Sequence, residues 1–70
     1  MDIRWLRTFV TAAELENFRH TSEKLYMAQP TVTVHIHHLE ERLGAQLFER
    51  SGRNIILSEA GKQFLPYARR

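Results

Sequence analysis

The stretch from Gln29 to Leu43 constrains this chain more than any other part of it. Val32, Ile36, Leu39 and Leu43 follow one another at steps of four, three and four, which gathers them on one face of a helix. Pro30 falls in the first turn, where its missing N–H would have had no partner. Gly44 comes directly after the last apolar position and tolerates the left-handed backbone found past a helix end. The face opposite the stripe carries Pro30, Val34, His37, His38 and Glu41, with Thr33 at its flank and Gln29 at its tip.

The flanking segments supply further elements. Ile3, Leu6, Phe9, Val10 and Ala13 predict an amphipathic helix from Asp2 to about Leu15, with Asp2 as its cap and Trp5 off the stripe or at its edge. Glu14, Glu16 and Asn17 break it. A short helix follows from about Phe18 to Leu25, anchored by those two residues, and Tyr26, Met27 and Ala28 make a tight connection. Beyond Gly44, Leu47–Arg50 reads as a strand, Ser51–Asn54 as a turn and Ile55–Leu57 as the returning strand. Ser58 caps a last helix with Phe64, Leu65 and Ala68 as its apolar positions; Pro66 should kink it, and no stop signal precedes Arg70.

Seventy residues make one domain with a thin core, since a chain of this size buries only about 60% of its unfolded surface. There is no cysteine, so neither a disulfide nor a thiolate metal site reinforces it. No signal peptide and no apolar run of membrane-crossing length is visible, and the expectation is a cytoplasmic protein with no membrane partner. The net charge of +2 says little, but Arg50, Arg53, Lys62, Arg69 and Arg70 face only Glu59 in the last third of the chain. That is the distribution a polyanion-binding surface needs.

Enzymatic functions find little support. There is no cysteine nucleophile, no glycine-rich phosphate loop before a helix and no convincing Ser-His-acid set, and the chain is small for enclosing a substrate. No cofactor is expected. His35 and His38 are three apart and could share a face, but they lack a third ligand, so no metal site is expected. The histidines read as polar surface residues near phosphates, able to add pH dependence.

The order helix, short helix, tight turn, helix, hairpin, helix fits a mostly α winged helix-turn-helix: a three-helix core, a two-stranded wing and the start of a C-terminal linker helix. In such a fold the third helix enters the DNA major groove with its N-terminal residues at base edges. Gln29 can bond adenine through both amide atoms, and a threonine hydroxyl donates or accepts. Val34 gains nothing from water, but would gain by packing on a thymine methyl; single exposed valines are also common and need no explanation. Thr31 is either a phosphate contact or a plain first-turn residue. The same outward face would equally serve a winged-helix module that binds protein and not DNA.

Four blocks resemble the N-terminal DNA-binding domain of LysR-type transcriptional regulators: Ala28-Gln29-Pro30-Thr31-Val32-Thr33 with Ile36, then Leu39-Glu40-Glu41-Arg42-Leu43-Gly44, then Leu47-Phe48-Glu49-Arg50, then Ser58-Glu59-Ala60-Gly61. The opening Asp2–Val10, with Leu6 and Phe9, is similar too. The resemblance implies that Gln29, Pro30 and Thr33 lie at the DNA and that Arg53 in the wing reaches a minor groove or phosphate. With the resemblance accepted, Arg50 joins Arg53 as a phosphate contact, and His37 and Val34 lie on the same reading face. It also implies a double-stranded inverted-repeat operator and a homodimer, or a tetramer in a longer protein. The division expected is a DNA-binding domain over 1–58 and a dimerising linker helix beginning over 59–70. A small-molecule effector would act only through a further domain, making this chain a piece of a longer regulator.

Several positions depart from the family pattern. Ala28 stands where Ser is usual, which costs a cap worth roughly 1 kcal/mol. Thr33 replaces a common Ser and keeps the hydroxyl, while Val34 occupies a position that is often Arg. Thr21 and Ser22 stand where two Ala usually allow close packing, and His35, His37 and His38 replace a polar or basic stretch.

Overall fold

A computed structural model of the chain describes all residues from Met1 to Arg70. The elements run α1 (Ile3–Leu15), α2 (Phe18–Leu25), α3 (Gln29–Leu43), β1 (Phe48–Ser51), β2 (Asn54–Leu57) and α4 (Glu59–Ala68). The mostly helical architecture with a two-stranded wing is the one expected. The hairpin starts one residue later than expected, and its turn is tighter. Ser51 pairs with Asn54, which leaves Gly52 and Arg53 alone at the tip. Gly52 takes the left-handed backbone that such a loop requires, at φ 62°.

The caps follow the sequence closely. Asp2 accepts from the Arg4 N–H at 2.7 Å, and Ser58 Oγ accepts from the Gly61 N–H at 3.0 Å. Gly44 closes α3 at φ 69°, its N–H donating to the Glu40 carbonyl. Asn17 caps α2 by accepting from the His20 N–H, a role not expected from its place in a polar break. Only α3 has no side-chain cap, because Ala28 has nothing to offer. α4 runs on through Pro66 to Ala68.

α3 packs against both α1 and α2. Phe9, Ile36, Leu39 and Leu47 form the core, and Trp5, Phe18, Phe48 and Phe64 pack against it. Phe9 sits between Phe48 and Phe64, with ring centroids 5.5 and 5.3 Å away. Full burial of such side chains contributes about 1.5–3 kcal/mol each, which matters in so thin a core. Two expected core positions lie elsewhere. Ile3 is 79% exposed and Leu43 37% exposed, because the first turn of α1 and the last of α3 overrun their neighbours. Thr8, Thr21 and Ser22 are buried in addition. The two hydroxyls on α2 are satisfied within their own helix, Thr21 donating to the Asn17 carbonyl and Ser22 to that of Arg19.

Three hydrogen bonds help to hold the wing. The Ile55 N–H donates to the Glu16 carbonyl at 3.1 Å, at the left-handed turn between α1 and α2. The Asn17 amide donates to Asn54 Oδ1 at 3.1 Å. The Leu47 N–H donates to the Glu40 carboxylate at 2.9 Å, joining α3 to the entry of β1. Gly61 permits α4 to close over this junction. A Cβ there would overlap the Leu47 carbonyl oxygen and come within 2.8 Å of Leu57 Cδ2.

Candidate nucleic-acid interface

The buried stripe of α3 fixes which side chains turn outward. Val32, Ile36 and Leu39 lie inside. Gln29, Pro30, Thr31, Val34 and His37 are therefore exposed, and Thr33 is half-buried with its hydroxyl 3.4 Å from the Gln29 carbonyl. Val34 is 48% exposed.

The outward residues fall on two sides of α3. On one side a groove opens between α3 and the wing, lined by Gln29, Thr33 and His37 with Arg50 and Arg53 across from them. Arg50 pairs with the buried Ile55 in the hairpin register, so it shares the face of the ribbon that turns toward the helices. Arg53 stands at the hairpin tip. On the other side a shallow depression runs between α3 and the start of α1, lined by Pro30, Thr31 and Val34 with Arg4 and Trp5. The structure thus brings five of the eight candidate residues together at the wing and sets three on the opposite flank.

Two arginines lining these surfaces were missed. Arg19, in the first turn of α2, lines the wing-side groove. Its place at a helix start beside the outward tip of α3 is the signal that pointed to it. Arg4 lines the other flank.

The histidines are not the uniform surface set expected. Of the three on α3, only His37 is exposed. His35 Nδ1 lies 2.8 Å from Thr8 Oγ1, inside the α1–α3 contact. Burial pushes its pKa below the ordinary 6.5, and the nearby Arg4 charge adds to this while Asp2 opposes it. His38 stacks on Trp5 with centroids 4.5 Å apart and planes 19° apart, so it belongs to the α1 contact and not to the middle of the outward face. A helical wheel puts His38 beside His37, but α1 crosses α3 at that edge and covers it. No group of three or more His, Cys, Asp or Glu side chains converges as metal ligands would.

The architecture defines a class, the winged helix-turn-helix with an exposed third helix and a basic wing beside it. The family model described as "Bacterial regulatory helix-turn-helix protein, lysR family" matches residues 3–62. The HTH-type transcriptional regulator CitR of Bacillus subtilis (strain 168) is 59% identical over 70 residues, covering 100% of this chain and 24% of that protein. Two solved complexes superpose on it closely. A CbnR DBD–DNA complex gives a TM-score of 0.93 at 40% identity, over 99% of this chain and 79% of that one. A BenM DBD complex with benA site 1 DNA gives 0.89 at 41%, over 97% and 79%. The chain belongs to the LysR family of bacterial regulatory helix-turn-helix proteins. It is a regulatory domain and not an enzyme, and it spans about a quarter of the length of the curated relatives it matches.

Proposed function

We propose that this chain is the promoter-recognition module of a LysR-type transcriptional regulator and binds double-stranded DNA sequence-specifically. The observation that carries this reading is the groove in which Gln29, Thr33 and His37 on α3 face Arg50 and Arg53 on the wing. α3 enters the major groove, which is about 12 Å wide and admits a helix. Gln29 and Thr33 read base edges. Val34, on the other flank with Pro30 and Thr31, packs on a thymine methyl. Arg50 and Arg53 hold the flanking backbone, with Arg53 reaching a phosphate or a minor groove. At the start of α3 Pro30 has no N–H and the Thr31 N–H donates to the Ala28 carbonyl, so the exposed Thr31 hydroxyl is the group that meets a phosphate there.

The solved CbnR and BenM domains in complex with DNA support this assignment, because this chain superposes on both across nearly its whole length. We further infer an inverted-repeat operator read by a homodimer, with residues 1–58 as the DNA-binding unit and α4 as the start of the dimerising linker helix. Tetramers, and any small-molecule effector, belong to a longer protein, and the site of action is the cytoplasm. Fluorescence anisotropy on a short labelled duplex across a salt series tests the reading. Binding that weakens steeply with salt is expected. Absence of salt-dependent binding at low ionic strength favours a protein-binding use of the same face.

A further inference from the structure

The two flanks of α3 are unequal. The wing side presents Arg19, Arg50 and Arg53. The α1 side presents Pro30, Thr31, Val34 and one fully charged cation, Arg4. A helix lying in a major groove has a phosphate backbone on each side of it. The wing serves one wall, and the wall beside α1 needs its own contact.

Arg4 is prepared for that role. Its Nε and Nη2 donate to Asp2 Oδ1 and Oδ2 at 3.2 and 2.9 Å, while its side chain remains 75% exposed. This pairing uses one edge of the guanidinium. A guanidinium carries five donors, so the remaining N–H groups stay free on the other edge. Asp2 is itself fixed, because the same carboxylate accepts from the Arg4 backbone N–H as the cap of α1. The long side chain is thereby held in one orientation before any partner arrives, which lowers the entropy lost on binding.

We propose that Arg4, oriented by Asp2, is a phosphate contact on the DNA wall opposite the wing. This rests on the DNA-binding reading above. The partner is a phosphodiester, because a planar fork of donors matches its oxygens. The charge of Asp2 opposes binding while its oxygens orient Arg4; Asn keeps one of those oxygens and loses the charge, so Asp2→Asn isolates the charge.

The test is fluorescence anisotropy of wild type, Arg4→Ala, Arg4→Lys and Asp2→Asn, on a selected duplex and on a random-sequence duplex, over a salt series. Circular dichroism of each variant reports folding, and Asn caps a helix as well as Asp. Arg4→Ala is expected to weaken binding to both duplexes about tenfold and to lower the salt slope by about 0.9. Arg4→Lys keeps the slope and recovers only part of the affinity. Asp2→Asn strengthens binding to both duplexes. The inference is overturned if Arg4→Ala binds with wild-type affinity and slope, or if its loss is confined to the selected duplex, which would mean a base contact. Where Arg4→Ala loses its helical signal, Asp2→Asn decides, and unchanged affinity in that variant overturns the inference. If wild type binds no duplex, the DNA reading falls and Arg4 falls with it.

Discussion

The hydroxyl of Thr8 and Nδ1 of His35 lie 2.8 Å apart and join α1 to α3 beneath the reading face. Thr8 is fully buried, so this is a polar contact made inside the packing of two helices. His35 is placed by it on the opposite side of α3 from the wing, three residues before the His38–Trp5 stack. The angle at which α3 is presented therefore depends on a contact whose donor and acceptor roles change with protonation.

Acid should loosen this contact. Burial, and then the charge of Arg4, hold the folded-state pKa of His35 below 6.5, so the unfolded chain takes up this proton more readily than the folded one. The stabilisation is complete above pH 6.5 and is lost as pH falls below that value toward the lowered folded pKa. Thermal melts between about pH 7.5 and pH 5.5 should show stability falling with pH in wild type. His35→Asn, which does not titrate, should flatten that dependence. An equal slope in the variant removes His35 as its source.

Restoring the missing cap should stabilise the chain. Ala28 gives α3 no side-chain hydrogen bond, while Asp2, Asn17 and Ser58 cap the other helices. Ala28→Ser should add about 0.5–2 kcal/mol. In a domain of this size each kcal/mol raises Tm by roughly 4–8 °C, which calorimetry reads directly.

Gln29 should carry base discrimination. Gln29→Ala is expected to weaken binding to the selected site by about 1–3 kcal/mol and to leave random duplex almost untouched. Equal loss on every sequence would remove Gln29 from base readout.

Arg53 should behave in the opposite way. It stands at the wing tip with Gly52 and no acidic partner. Arg53→Ala should lower the salt slope by about 0.9 and weaken selected and random duplexes alike. A loss restricted to one sequence would place Arg53 at a base edge.

Much of this was legible in the residues because it is local. The periodicity around Phe9 and Leu39, the caps at Asp2 and Ser58 and the stop at Gly44 each depend on neighbours within one or two turns. What escaped depends on where a helix meets its neighbours. Periodicity gives the angle of Ile3 and Leu43 around the axis but not the point where the packing ends. It places His38 on an outward face without knowing that Trp5 lies over it. The Asn17–Asn54 bond spans 37 positions, and it helps fix the wing against α2 so that Arg19 and Arg53 border one groove. Of the candidate site, the first turn of α3 and the wing arginines were readable. The division into two flanks, and Arg4 on the second, needed the crossing of α1 over α3.

Selection of binding sites from random duplex DNA tests the central claim most directly. The account predicts enrichment of an inverted repeat, with half-sites about one helical turn or a multiple of it apart, and with a thymine at a fixed place in each half-site that Val34→Ala no longer selects. A bound pool with no enriched sequence would contradict it.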